Sequence, residues 1–115
     1  MTTVPLIILL FASVGLGVVL GLNYLRHTQN KPILIAAHLL LGAGSLEQLV
    51  IAISGDRGGA YGTKAAGLLA ITLALGFLGS LVFRQSPRKA GWVVAAHATA
   101  GSLGFVVFLA WLSTV

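Results

Sequence analysis

Two histidines are the residues of this chain best placed to do chemistry. His38 stands in Ala36-Ala37-His38-Leu39-Leu40-Leu41-Gly42, and His97 in Ala95-Ala96-His97-Ala98-Thr99-Ala100-Gly101. Both lie inside apolar stretches, where an ionisable side chain is expensive and turns inward towards a partner. A glycine at i+4 falls on the same helix face, one turn deeper. It removes the side chain that would collide with a flat macrocycle lying against the helix. Two opposed imidazoles with adjacent glycines are what a bis-histidine heme b site requires. The iron would be held by His38 and His97, with Gly42 and Gly101 against the ring. Lys31, Arg88 and Lys89 stand near the mouth of such a site and can pair with heme propionates. Three other uses of the pair stay open. An intramembrane histidine also serves as a helix-to-helix hydrogen-bonding residue, the two can hold another tetrapyrrole such as a chlorophyll, and they can handle protons.

The other candidates are less specific. His27 falls in a hydrophilic stretch with no evident partner at matching depth. Glu47 can accept a proton or pair with Arg57 or Lys64; the competing reading is a carboxylate reaching for the interface. Gly58-Gly59 is not a phosphate loop, since no lysine–serine pair follows and no strand precedes it. Cysteine is absent, which excludes disulfides and thiolate metal sites. No nucleophile–base arrangement, carboxylate metal cluster or nucleic-acid signature is found.

These histidines need elements that hold them at depth, and composition says which. Of 115 residues, 57% are hydrophobic and 8% charged, with a mean hydropathy of +1.01. A soluble domain carries roughly 25% charged residues to solvate its surface. With seven basic and two acidic residues, this chain needs lipid as its outer solvent. The net charge of +5 is scattered at the ends of apolar runs, so it is read as loop charge and nucleic acid is set aside.

Four apolar runs follow one another: 4–25, 32–54, 65–83 and 91–112. Each has about the 20 residues that cross roughly 30 Å of hydrocarbon at 1.5 Å per residue. An all-α integral membrane four-helix bundle, forming a single transmembrane domain over 1–115, is expected. Pro32 suits a helix first turn. The stretch Gly55 to Gly62 reads as a turn, and Arg84 to Lys89 as a loop whose Pro87 discourages helix continuation. A cleaved signal peptide is the rival reading of the first run, but its basic residues follow the apolar run, and the run is long for a signal core.

The histidine segments are also 59 positions apart, and the same shift lays Leu16-Gly17 on Leu75-Gly76 and Gly42 on Gly101. Two parallel copies of a helical hairpin explain this; chance alignment of Ala-, Leu- and Gly-rich helices is the alternative. Both histidine helices then start from the same side, with each imidazole about 10 Å along its helix. Gly17 with Gly21, and Gly76 with Ser80, read as packing faces. Asn23, Tyr24, Tyr61, Trp92 and Trp111 read as interface residues of an aromatic belt. Arg26, Lys31, Arg84, Arg88 and Lys89 lie on one side, against Arg57 and Lys64 on the other. The excess places 26–31 and 84–90 in the cytoplasm, with both termini outside. A bacterial inner (plasma) membrane is the expected location.

The His38…Gly42 and His97…Gly101 pairs, and the Trp92-Val93-Val94-Ala95-Ala96-His97 approach, resemble the small membrane-embedded b-type cytochromes. The resemblance covers the second and fourth runs. It implies an electron-transfer subunit holding one heme b, with a quinone or another donor and further membrane subunits as partners. The chain departs from relatives that hold two hemes with four histidines, because only His38 and His97 are intramembrane. Two readings of other classes stand beside it. One is a cofactor-free accessory subunit of a membrane complex, which the minimal loops suit. The other is a small dimeric exporter, which needs a central carboxylate that the first run lacks.

Overall fold

The computed structural model describes residues 3–55 and 59–115 and is all-α. Four helices follow in order: α1 (Val4–Leu25), α2 (Pro32–Ser54), α3 (Gly59–Gln85) and α4 (Pro87–Leu112). All four are long and apolar enough to cross a membrane. In hydrocarbon a backbone must satisfy its own N–H and C=O groups. That requirement makes these apolar runs helical throughout, even where Val, Ile and Gly would weaken a helix in water. Large apolar side chains such as Ile8, Leu40, Phe77 and Val106 are exposed, as suits lipid contact.

α1 and α2 coincide with the first two apolar runs, whereas α3 and α4 are longer than theirs. α3 begins at Gly59, so the expected turn over 55–62 is helical in its second half; residues 56–58 lie outside the described residues. Gly59 adopts φ +61°, a conformation open to glycine at little cost. At the other end α3 runs through Arg84 to Gln85, and α4 starts at Pro87. The expected loop from Arg84 to Lys89 is therefore reduced to Ser86. Pro87 opens α4 where its missing N–H costs nothing, and the Ser86 hydroxyl accepts from the Lys89 N–H.

The α1–α2 connection is held differently. The Thr28 N–H donates to the Asn23 carbonyl (2.8 Å) and the His27 N–H to that of Tyr24 (3.1 Å). His27 itself is left-handed, at φ 55°. This is the Schellman pattern, which satisfies the last carbonyls of a helix. His27 is thus a helix terminator occupying a position that usually holds glycine. Asn23 donates to the Asn30 side chain, which in turn donates to the Leu20 carbonyl. Asn23, which read as an interface residue, thus ties its own loop.

Two compact units result, residues 1–48 and 49–115. The first holds α1 with most of α2. The second holds the last turns of α2 with α3 and α4. In the second unit the contacts between α3 and α4 descend one helix as they ascend the other. Gly79 meets Val93, Gly76 meets His97, Gly101 meets Thr72, Gly104 meets Leu69, and Gly62 meets Trp111. At nearly every level a glycine faces a larger side chain, so the two backbones approach closely. Lipid tails are as apolar as leucine, so such close fit, rather than hydrophobic burial, drives helix association in a membrane. Phe108 and Trp111 close one end, with ring centroids 5.8 Å apart. Trp111 is only 1% exposed, which corrects its assignment to an aromatic belt. Gly62 opposite removes the side chain that would keep the indole out. Trp92 and Tyr61 are exposed.

Candidate functional site

Each histidine is held by the helix that precedes it. In the first unit the His38 Nδ1 lies 2.9 Å from the Ser13 carbonyl oxygen of α1. In the second, the His97 Nδ1 lies 2.7 Å from the Thr72 carbonyl oxygen of α3. A carbonyl oxygen only accepts, so in both rings Nδ1 carries the proton and donates. In a neutral imidazole that leaves Nε2 with the lone pair. Both rings are half-buried.

The carbonyls that accept are main-chain groups within helices. A helical carbonyl keeps a second lone pair after its i+4 bond, and an apolar surround offers no water to compete for it. The ring reaches that oxygen because the next turn of the same face is glycine. A Cβ built on Gly17 would stand 2.9 Å from His38 Cε1, and one on Gly76 would stand 2.9 Å from His97 Cε1. Each imidazole therefore lies edge-on against a bare stretch of helix, between a carbonyl one turn back and a glycine.

Every element of this arrangement recurs at the 59-residue shift. Ser13 corresponds to Thr72, Gly17 to Gly76, His38 to His97 and Gly42 to Gly101. The repeat read from the sequence is thus matched contact for contact. The halves differ in the hydroxyls: Ser13 Oγ donates towards the His38 carbonyl at 3.5 Å, while Thr72 Oγ1 donates to Leu68 of its own helix.

Gly42 and Gly101 take part in the same packing. Their Cβ directions meet Ser13 Oγ at 3.4 Å and Thr72 Cγ2 at 3.1 Å. Both glycines thus let α2 and α4 lie close against the helix preceding each. Lys31, Arg88 and Lys89 are exposed, just before α2 and in the first turn of α4. Glu47, the one carboxylate side chain among the described residues, is exposed on α2, and Val106, at the matching position of α4, is exposed too. Among the described residues, no group of three or more His, Cys, Asp or Glu converges to hold an ion. One imidazole in each unit, taken by itself, has a feature that metal ligands share. Metal-ligating histidines characteristically donate their other ring N–H to a carbonyl or carboxylate, which fixes the tautomer and raises ligand basicity.

Sequence reasoning missed Ser13 and Thr72 altogether and took Gly17 and Gly76 for plain packing residues. The shift that aligned the histidines also aligns these four, which is the signal that could have found them. The chain matches no protein-family model, no curated protein and no solved structure.

Proposed function

We propose that the chain is a heme b electron-transfer subunit in which His38 and His97 supply the axial nitrogens through Nε2. The observation that carries this reading is the twin bond from Nδ1–H to a helical carbonyl. It presents both imidazoles in the tautomer that axial ligation uses. Heme, when bound, supplies a one-electron ferric–ferrous couple. The protein's own part is to hold each ring by its Nδ1 proton, to keep water away with apolar helices, and to offer cations to the propionates. Lys31, Arg88 and Lys89 take that last role, being exposed at the ends from which the two histidine helices start. The resemblance to small membrane-embedded b-type cytochromes supports the same assignment. It makes a quinone or a neighbouring membrane subunit the source of the electron. The basic excess at 26–31 and 84–90 supports a cytoplasmic position for those connections in a bacterial plasma membrane, with both termini outside.

A second reading, a cofactor-free subunit that packs within a larger membrane complex, is favoured by a different observation. Gly42 and Gly101 are faced by Ser13 and Thr72, a fit that needs no macrocycle. The visible spectrum of detergent-purified protein, oxidised and then dithionite-reduced, separates the two. A sharp reduced α-band lost in both His38→Ala and His97→Ala is the result expected of the heme subunit. A colourless, folded protein from heme-supplied cells would exclude it in favour of the second reading.

A further inference from the structure

We infer that Gly17 and Gly76 are positioning residues that fix the orientation and tautomer of His38 and His97. This rests on the reading of those imidazoles as ligands, though its first test does not require a cofactor. A methyl group on Gly17 would stand 2.9 Å from His38 Cε1, 3.5 Å from Nδ1 and 3.6 Å from Nε2. On Gly76 the corresponding distances to His97 are 2.9, 3.0 and 3.7 Å. The shortest contact in each case is far inside the carbon–carbon optimum of about 3.5–4.0 Å. Something must therefore shift, and a ring that swings away from the added methyl lengthens its Nδ1–H bond to Ser13 or Thr72. Glycine at these two places is what lets the ring edge reach the carbonyl.

Not every glycine of these helices is placed so. A Cβ on Gly21, one turn beyond Gly17, or on Gly67 of α3 meets nothing within 4 Å. Gly17 and Gly76 each meet a histidine at 2.9 Å, one in each half and at the same register, whereas Gly62 meets Ile53 and Trp111. General helix packing would not require the same ring atom to be the nearest neighbour twice.

The experiment uses purified protein in micelles, labelled with 15N-histidine and free of heme, with resonances assigned by His38→Ala and His97→Ala. Two slowly exchanging Nδ1–H signals are expected in the parent protein. Gly17→Ala should remove that of His38 and keep that of His97; Gly76→Ala should do the reverse, and Gly21→Ala should keep both. Titration with heme then gives the second readout. Loss of a partner that orients a ligand lowers metal affinity by about 10- to 100-fold, so each glycine variant should raise the heme Kd by that factor and Gly21→Ala should not. Unchanged Nδ1–H signals in Gly17→Ala and Gly76→Ala would overturn the inference, whatever heme does. Signals that behave as expected in a protein that takes up no heme would uphold the positioning role and defeat the heme reading. If Gly17→Ala does not fold, it is combined with His38→Ala, which empties the space. Recovery of folding in the double variant supports the inference, and continued misfolding overturns it.

Discussion

Replacing Gly62 by alanine should destabilise the α3–α4 hairpin, and the structure sets the size of the effect. The added Cβ would lie 2.8 Å from Ile53 Cγ2 and 2.9 Å from both Cδ1 and Nε1 of Trp111. Ordinary carbon contacts are about 3.5–4.0 Å, so two neighbours must retreat by roughly 0.6–1.2 Å. Trp111 has little room to do so, being 1% exposed and packed at a tilt against a fully buried Phe108. Overpacking of this kind costs about 1–3 kcal/mol. Alanine recovers about 0.5–1 kcal/mol of helix preference over glycine, which leaves a net loss of up to about 2.5 kcal/mol, centred on about 1.3 kcal/mol. The central value is roughly an 8-fold fall in the folding equilibrium constant. The assay is SDS titration in mixed micelles followed by far-UV circular dichroism, with Gly67→Ala as the control, since its Cβ meets nothing within 4 Å. Combining Gly62→Ala with Trp111→Leu should recover part of the loss, with a coupling of about 0.5 kcal/mol or more. If Gly62→Ala is as stable as Gly67→Ala, the close seating of Trp111 on α3 is refuted.

Other outcomes follow from single residues. His27→Gly should stabilise the protein by about 1 kcal/mol in the same titration, because it relieves a left-handed non-glycine residue; an unchanged or lowered midpoint would show that His27 is not strained there. Ser86→Ala should cost about 0.5 kcal/mol, the low end for an N-cap, since its bond from the Lys89 N–H is 3.4 Å long; Ser86→Asp should be neutral. In single-tryptophan variants, brominated lipid should quench Trp92 strongly and Trp111 weakly, and the reverse order would contradict their 81% and 1% exposures. The chain has no cysteine, so Thr28→Cys and Gln85→Cys each introduce a sole thiol. In intact cells both should resist an impermeant maleimide and react after lysis; labelling from outside would invert the proposed topology.

How much could be read before folding depends on the kind of physics involved. Helix number, and the whole extent of α1 and α2, follow from composition because hydrocarbon forces every apolar run to satisfy its own backbone. The ends of α3 and α4 do not, since Gly59–Gly62 and Arg84–Lys89 look like loops to any local rule. Gly62 lies within α3, where the indole of Trp111 fills the space a side chain would take, and Pro87 opens a helix that Ser86 caps. The repeat was legible as a shift of 59 positions, and so was the rarity that marks His38 and His97. Which face each imidazole turns to was not. That depends on which turn of α1 or α3 lies opposite, a matter of register between helices that no single helix encodes. Ser13 and Thr72 act through main-chain carbonyls, so residue type alone does not mark them and only the 59-residue shift relates them. The sequence by itself determined four membrane-length helices and a repeated histidine. Only the tertiary structure decided that each histidine is clamped by the helix before it, because glycine at Gly17 and Gly76 brings ring and carbonyl within hydrogen-bonding reach.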